Sequence, residues 1–345
     1  MKTMNLARAL FAGLLSTIVR TVPRLILVAA LACTTGMFTA SAHAATTLAH
    51  TWVASNGSDA NNCDRPTPCA SFSGAYNKTT TGGEITCADS GNFGGLGISK
   101  SLTVNCESNI GNNSLDGGVS FMTINGTSVT VILRGLDLDG IDETNNVPCS
   151  GIGASVNFTG SGTLHLQKMK INNLTSSNCG VGFTPSGTAT LDITDCDITD
   201  NGSSGLAAGI YVQPASGVTV HVSIDHSRIN GNYFGIIFDG TQGGIIHGTI
   251  SDSVVSNNTE NGITASTTSS NVLLVIDQTK VSGNLHGLVA GGSTAAIMAR
   301  NTTVTGNTAA GLFTVNGGQL FSYGDNSVDG NNGNNGAFTG MATLK

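Results

Sequence analysis

Charged residues are scarce in this sequence, and their scarcity excludes several kinds of fold. Of 345 residues only 10% are charged, so the helix-favouring Glu, Lys and Arg are few. A bundle of surface helices needs such residues. The 47 glycines, together with abundant Asn, Ser and Thr, instead suit a chain that turns often and pairs strands. The hydrophobic content of 39% excludes wholesale disorder.

Acidic residues are absent from the first 44 positions, which contain four basic ones. The apolar run Leu25–Ala40 is followed by the small-x-small sequence Ala42-His43-Ala44. Together they predict a secretory signal peptide at residues 1–44, and the mature chain then begins near Ala45. Neither this run nor Leu10–Val19 reaches the ~18 residues of a membrane-spanning helix. We therefore expect a secreted or periplasmic protein with no membrane span in the mature chain.

Basic residues become fewer still when that segment is removed. Ten basic residues then stand against 21 acidic ones, which gives the mature chain a net charge of −11. A chain this acidic is a poor partner for nucleic acid, because binding to phosphates depends on Lys and Arg.

Seven cysteines remain in the mature chain, and none has the Cys-x-x-Cys or Cys/His spacing of a zinc site. Export favours disulfides. Three pairs are candidates by their positions: Cys63 with Cys69, Cys87 with Cys106, and Cys149 with Cys179. The connectivity stays open at this point. The seventh residue, Cys196, is expected to be a buried free thiol.

One recurring phrase organises the rest of the chain. It consists of an aliphatic anchor, two small polar residues, an Asn, a short gap, then Gly and another aliphatic residue. Successive anchors lie 31, 26, 26, 23 and 24 residues apart. They are Ile198, Ile229, Val255, Val281, Val304 and Val328. A repeat of this period is typical of a solenoid.

Positions counted back from each anchor predict the path of a coil. The residues at −7 and −5 are apolar, as in a strand that alternates between core and solvent, except that Gly248 stands at one of them. Adjacent polar residues at −4 and −3 predict a bend. Stacked coils place like positions about 4.8 Å apart, so the Asn residues should form a ladder along one corner. Asn also tolerates the left-handed backbone of a sharp turn. The ladder residues are Asn201, Asn232, Asn258, Asn284, Asn307 and Asn331.

The order of these segments resembles a known family. A strand and a predicted helix over 67–79 form an N-terminal cap within residues 45–95. Then come Gly82–Ile85, the run Ile98–Val104 and the Asn-bearing coils, which look like the right-handed parallel β-helix proteins of the pectin-lyase-like superfamily. The resemblance implies an all-β fold, a right-handed parallel β-helix of about ten coils over residues 96–345 with a short capping helix. That superfamily includes lyases, hydrolases, epimerases, tailspikes and adhesins, so the fold does not choose an activity.

Charged side chains recur at positions −3 and −1 of consecutive coils, where they should face solvent as one mixed-charge patch. They are Lys168, Lys170, Asp195, Asp197, His226, Arg228 and Asp252. One interpretation is a ladder of exposed ion pairs, each contributing about 0–1 kcal/mol. The other is the site of a lyase acting on an acidic glycan. Such a site needs carboxylates for a cation and a base, beside a cationic group that stabilises the enolate.

The lyase interpretation assigns roles within this patch. Its catalytic candidates are Asp195, Asp197, His226 and Arg228, and its binding candidates are Lys168, Lys170 and Asp252. It is also the only interpretation that involves a cofactor, Ca²⁺; otherwise no cofactor and no metal site are expected. His221 and His247 share position −8 and are interpreted as exposed strand histidines, because two ligands are too few for a metal site.

Motifs of the resembled superfamily do not assign an activity. Each segment typical of its hydrolases is altered here, so that branch is rejected. The nearest segments are Asn258–Glu260, Asp195–Asp197, Leu285–Gly287 and Arg228–Asn230. The lyase-like segment Ile224–His226 is treated as accidental, because every coil offers an inward aliphatic residue followed by two bend residues.

Three gaps between anchor and Gly are longer than the others and should stack as a ridge beside the charged patch. They are Asp142–Ser150, Thr175–Cys179 and Gly202–Ala208. Tight coils and the altered hydrolase segments favour a non-catalytic protein that binds a polysaccharide or cell-surface glycan along its flank. The alternative is a polysaccharide lyase or another carbohydrate-active enzyme, so the sequence leaves open whether the protein is an enzyme.

Overall fold

A computed structural model of the chain describes residues 47–107, 111–114, 122–140 and 153–343, which form a parallel β-solenoid with one short helix, α1 (Phe72–Lys78). In chain order the strands are β1 (Leu48–Val53), β2 (Thr79–Cys87), β3 (Leu96–Ile98), β4 (Leu102–Asn105), β5 (Gly111–Ser114), β6 (Met122–Ile124), β7 (Val129–Arg134), β8 (Leu136–Asp139), β9 (Ala154–Phe158), β10 (Gly162–Gln167), β11 (Lys170–Asn172), β12 (Cys179–Phe183), β13 (Ala189–Thr194), β14 (Asp197–Thr199), β15 (Ala208–Val212), β16 (Thr219–Asp225), β17 (Arg228–Asn230), β18 (Phe234–Asp239), β19 (Ile245–Ser251), β20 (Val254–Ser256), β21 (Ile263–Ser266), β22 (Val272–Asp277), β23 (Lys280–Ser282), β24 (His286–Gly291), β25 (Ala295–Arg300), β26 (Thr303–Thr305), β27 (Ala310–Val315), β28 (Gln319–Ser322), β29 (Ser327–Asp329) and β30 (Gly340–Met341).

Each regular coil contributes one strand to each of three sheets, and neighbouring coils pair in parallel. Sheet 1 has 12 strands and contains the residues at −7 and −5; β13 and β16 are its central strands. Sheet 2 has 9 short strands that carry the anchors, and sheet 3 has 9 strands that follow the Gly of each phrase. The all-β solenoid prediction is confirmed, with about 8 turns in place of ten, because the first and last coils are incomplete.

The core explains the spacing of apolar residues. Leu191, Ile193 and the anchor Ile198 point inward and are at most 1% exposed, as the alternation predicted. The exception at Gly248 also has a cause. A Cβ there would lie 2.6 Å from Leu274 Cδ2 and 3.3 Å from Phe238 Cε1, so these larger neighbours occupy the space.

The Asn ladder is confirmed at the corner between sheets 2 and 3. Asn232 is representative: its Nδ2 donates to Asn258 Oδ1 (3.2 Å) and to the carbonyl of Ile198 (3.0 Å). Its Oδ1 accepts from the backbone N–H of Asn201 (3.1 Å). The left-handed residue of this turn is the one before each ladder Asn, such as Asp200 with φ 57°. The ladder Asn is therefore selected for its buried amide and not for its backbone conformation.

The Gly of each phrase makes room for that amide. A Cβ on Gly209 would lie 2.8 Å from Ile229 Cγ2 and 2.9 Å from Asn232 Nδ2 of the next coil. Any side chain at this position would push the next coil away from the ladder. The two halves of the phrase are thus one packing unit.

The N-terminal cap is present, but its helix is shorter than predicted. Helix α1 begins at Phe72 and not at residue 67, because the Ser71 hydroxyl caps it by accepting from Gly74 N–H (3.0 Å). Asp59 holds the preceding turn by accepting from the backbone N–H groups of Ala70 and Ser71. Phe72 is fully buried, so the helix closes one end of the core.

Two of the candidate disulfides are present: Cys63–Cys69 and Cys87–Cys106. Cys179 is also disulfide-bonded, while Cys149 lies outside the described residues. Cys196 is the buried free thiol that was predicted, and burial raises its pKa to about 12. The predicted signal peptide at residues 1–44 also lies outside the described residues. Within the described ranges, no helix is long and apolar enough to cross a bilayer.

Candidate functional site

The predicted charged patch lies at the corner between sheets 1 and 2, where the coils with anchors from Leu138 to Val304 bend at position −3. The residue there adopts a left-handed backbone in consecutive coils: φ is 52° at Lys168, 56° at Asp195, 46° at His226 and 47° at Asp252. Short polar residues such as Asp tolerate this conformation better than most others. The left-handed backbone therefore explains why polar residues stand in this column, whether or not the column has a function.

The −1 column forms a ladder of alternating charge on the outer face of sheet 2. Lys170 stands between Asp137 and Asp197 in register, and Arg228 follows Asp197. Lys170 Nζ lies 3.3 Å from Asp137 Oδ2. Arg228 donates two hydrogen bonds to Asp197, from Nε to Oδ1 (3.0 Å) and from Nη2 to Oδ2 (2.5 Å). These hydrogen bonds raise the pKa of the Arg228 guanidinium. Lys170 and Arg228, the two predicted cations of this column, are thus both paired with carboxylates.

The −3 column begins with another ion pair. Lys168 bonds to Glu107, and this hydrogen bond holds the pKa of the Glu107 carboxyl below its ordinary value. Beside them lie two cavities of about 230 and 340 Å³; the first is lined by Leu136 and Lys170 among others, and the second by Asp195. Both are shallow, and both are bordered by the ion-paired side chains.

His226 lies in the most concentrated group of ionisable side chains at this corner. Its Nδ1 is 2.7 Å from Asp225 Oδ2, and this hydrogen bond raises the pKa of the imidazole, with smaller contributions from the charges of Asp252 and Asp195. Ser251 donates to the other oxygen of Asp225 (2.7 Å), and this bond in turn lowers the pKa of the Asp225 carboxyl. Donor atoms of Asp225, His226 and Asp252 lie within 4.8 Å of one another.

This group fits Ca²⁺ poorly. Calcium takes six to eight oxygen ligands, whereas the group provides two carboxylates and an imidazole. Both oxygens of Asp225 already accept hydrogen bonds, from Ser251 and His226. The chemistry of these donors therefore does not support the calcium site that the lyase interpretation would require.

Two of the three predicted ridge segments stack on each other at the opposite end of the short sheet 2 strands. The backbone N–H of Ser203 donates to the carbonyl of Ser176 (2.7 Å), and Gly202 donates to Leu174 (2.7 Å). The third segment, Asp142–Ser150, lies outside the described residues. The ridge and the charged patch thus flank sheet 2 from its two ends.

A larger depression lies on the outer face of sheet 1, next to the charged corner. It has a volume of about 390 Å³ and spans five consecutive coils. Its outward lining residues are Asp192, His221, Ser223, His247, Thr249, Leu273, Val275 and Met298. We call this depression the sheet 1 groove.

Register brings the two histidines of the groove together. His221 pairs with His247 across β16 and β19, and their rings stack with centroids 5.4 Å apart and planes 17° from parallel. The next residue in this column is Leu273. Asp192 lies at the edge of the groove, where it pairs with His165 at 3.1 Å.

Of this groove, the sequence indicated only the two histidines. The available signal was at positions −8 and −6, which alternation turns outward. Leu273, Val275 and Met298 occupy those positions in two consecutive coils, although outward positions are ordinarily polar. Apolar residues that cluster on a solvent-facing column are the kind of exception that indicates a binding surface.

Comparison with known proteins gives one family match. The family model described as the right handed beta helix region matches residues 150–333. A search of curated protein sequences found no match.

Among solved structures, the chain is similar to the pectate lyase Pel9A, at 15% identity and a TM-score of 0.43, over 80% of this chain and 68% of that one. It is also similar to a GH136 lacto-N-biosidase from Eubacterium ramulus. In that case the identity is 12% and the TM-score 0.41, over 81% of this chain and 67% of the other.

Proposed function

The chain belongs to the right-handed β-helix family, and from this premise we propose that it is a non-catalytic, exported solenoid that binds glycans along its flank. The observation that carries the proposal is the sheet 1 groove, an open depression of about 390 Å³ that crosses several coils. A polymer laid along the solenoid axis meets the same position of each coil every ~4.8 Å, so a repetitive ligand finds a repetitive surface.

The chemistry of the groove suits a sugar. His221, Ser223, His247 and Thr249 offer hydrogen-bonding groups, and the stacked imidazoles add flat ring faces. Sugars present hydroxyls at their edges and C–H groups on their faces. A surface that combines polar atoms with flat or apolar contacts can engage both.

The charged corner supports binding in preference to catalysis. Arg228 is the cation that a lyase would use to stabilise an enolate, yet it is bonded twice to Asp197. Lys170 and Lys168 are likewise paired, with Asp137 and Glu107. A substrate would have to displace these carboxylates before any cation could act on it. Exposed ion pairs of this kind suit a surface that remains soluble and polar around a binding groove.

Export is part of the proposal. The disulfides Cys63–Cys69 and Cys87–Cys106 fit an oxidising compartment, because such bonds rarely persist in the cytosol. N-terminal sequencing of the protein from the culture fluid or periplasm should find a start near Ala45. Recovery only from the cytosol, with residues 1–44 intact, would contradict export.

Glycan arrays combined with product detection test the binding function. We expect the purified protein to retain one or more polysaccharides without producing shorter fragments. The double variant His221→Ala/His247→Ala should weaken retention at least tenfold. The matched control is His286→Ala, which removes a ring of sheet 3 that stacks on Phe313. Equal binding by the groove variant and the control would show that the groove is not the site.

A second candidate function is a polysaccharide lyase that acts on an acidic glycan with Asp195, Asp197, His226 and Arg228. The observation that favours it is the convergence of His226 with Asp225 and Asp252, one coil from Arg228's partner Asp197. Its test is the appearance of an unsaturated product that absorbs in the ultraviolet, measured with and without calcium. Product formation that is lost in Asp197→Ala would replace the binding function with this one.

A further inference from the structure

The sheet 1 groove is divided into a polar half and an apolar half by successive coils. The strands β16 and β19 contribute His221, Ser223, His247 and Thr249. The two following strands, β22 and β25, contribute Leu273, Val275 and Met298. The residues of both halves stand in the same two outward columns, at positions −8 and −6. The lining therefore changes from polar to apolar at one boundary in the middle of the groove, between β19 and β22.

The apolar half is partly exposed, although the chain has a full core in which to bury such residues. Leu273 retains 36% of its accessible surface, and Met298 follows Val275 in the neighbouring column. The fold does not require apolar side chains at these outward positions. The inward positions of the same strands already place Leu274, Ile276 and Ile297 in the core. Exposed apolar side chains that line a depression favour a ligand with an apolar part.

We propose that the groove selects glycans that carry an acyl substituent of about acetyl size. This inference rests on the proposed glycan-binding function and names the class of glycan. The sugar hydroxyls bond to the His221 and His247 half, and the acyl methyl group packs on Leu273, Val275 and Met298. An unsubstituted sugar would set a hydroxyl against these side chains and lose the burial of apolar surface.

Charge complementarity favours a neutral substituent over a charged one. Asp192, the carboxylate at the polar edge, is already paired with His165, and the apolar half has no charged residue among its lining side chains. A carboxylate or ammonium group placed over Leu273 would lose hydration without gaining a partner. An amide-linked or ester-linked acyl group loses much less hydration free energy than a charged group does. The amide or ester oxygen can also accept a hydrogen bond at the polar boundary.

Matched pairs of glycans test the selectivity. The first pair is chitohexaose and cellohexaose, which share a backbone and differ in the N-acetyl group. The other pairs are O-acetylated xylan and glucomannan fragments, each compared before and after alkaline removal of the acetyl esters. We expect each acylated member that binds to bind at least about fourfold more tightly than its partner, since one buried carbon contributes about that factor. Calorimetric titration gives the ratio for each pair.

Three variants assign the preference to the apolar half. Leu273→Ser and Met298→Thr should bring the ratio toward one, while affinity for the unsubstituted member changes by less than about twofold. Phe313→Ser, at a sheet 3 position that is 41% exposed, is the matched control and should leave the ratio unchanged. The double variant of His221 and His247 should weaken both members in parallel. Circular dichroism confirms that each variant is folded.

The outcomes separate the two proposals. Binding to glycans without preference for the acylated members, or a preference that survives in both Leu273→Ser and Met298→Thr, overturns this inference and leaves the binding function standing. No binding to any member of any pair overturns this inference, and no retention of any polysaccharide on the glycan arrays overturns the binding function as well. If light scattering shows a dimer that Leu273→Ser dissociates, the face binds a second copy of the chain and the inference is wrong.

Discussion

Two corners of the solenoid stack like residues at the same interval, but their energetics differ. At the Asn corner, the ladder residues are at most 2% exposed, and each amide bonds to the next coil. At the charged corner, ion pairs such as Arg228–Asp197 also join neighbouring coils, but the Arg228 side chain is 57% exposed. Water competes for the charged groups and has no access to the amides. Burial, more than the number of bonds, should therefore decide which corner holds the coils together.

The largest effect is expected from Asn258→Ala in the middle of the ladder. The variant removes the acceptor of the Asn232 backbone N–H, which stays buried, and one acceptor of Asn232 Nδ2, which keeps its bond to the Ile198 carbonyl. A buried donor left without a partner costs about 1–3 kcal/mol and a lost hydrogen bond about 0.5–1.5 kcal/mol, so the free energy of unfolding should fall by roughly 3 kcal/mol. Urea unfolding measures this change. A loss below about 1 kcal/mol would mean that the ladder is no stronger than the charged corner.

A somewhat smaller loss is expected from Gly262→Ala at the same corner. Its Cβ would lie 2.8 Å from both Asn284 Nδ2 and Val281 Cγ1, so the next coil must shift, at a cost of about 1–3 kcal/mol. Gly97→Ala is the matched control, because a Cβ there meets nothing within 4 Å. The control should be neutral or more stable by up to about 1 kcal/mol. Equal melting temperatures of the two variants would refute the packing role of the phrase Gly.

A small effect is expected at the charged corner. Arg228→Met or Asp197→Ala breaks the bidentate pair, yet the exposed setting limits the loss of unfolding free energy to about 1 kcal/mol or less. The difference from the wild type should shrink further in 1 M salt, because salt screens exposed charges. Urea unfolding at low and high salt provides the comparison. A loss as large as that of Asn258→Ala would remove the distinction between the corners.

The smallest effect concerns pH. Because the bond to Asp225 raises the pKa of folded His226, its contribution to stability is fully present below the ordinary pKa of 6.5 and is lost as the pH rises through the raised value. NMR titration of the imidazole should show a pKa above 6.5 in the wild type and a lower pKa in Asp225→Asn than in the wild type. A wild-type pKa at or below 6.5 would show that the exposed pair does not persist in solution.

The sequence predicted the fold in detail wherever burial imposes a repeat. The anchors, the −7 and −5 positions of the coils up to Val304, and the ladder all follow from one period, because each inward position must match its neighbours above and below. In the Val328 coil the buried residues are Leu320 and Ser322, one position earlier than predicted, because the left-handed residue there is Gly324 at position −4. The cap helix was less predictable. Pro68 is a good first helical residue, but Ser71 supplies the cap and starts the helix later. The start of the helix therefore depends on the hydrogen bond from Ser71 to Asp59, a residue that lies 12 positions earlier in the chain.

The candidate sites were predictable only in part. Counting from the anchors placed Asp197 beside Arg228 and His221 beside His247, because register follows from the period. It did not reveal that Arg228 makes two hydrogen bonds to Asp197, or that Glu107, far earlier in the chain, pairs with Lys168. Exposed side chains are held by neighbours from several coils, and no periodic constraint fixes their partners. The groove likewise depends on how the coils pack and not on a motif.

The Asn ladder also has a consequence for how the length of this chain can evolve. Each ladder residue offers the next coil the same donor and acceptor, so any two coils present matching surfaces to each other. Asn232 and Asn258 are 26 residues apart, and removal of one such block would set Asn201 directly against Asn258 with its hydrogen bonds intact. Gain or loss of whole coils by duplication or deletion is therefore structurally neutral at this corner. Changes of a few residues are confined to the loops, where no neighbour imposes a register.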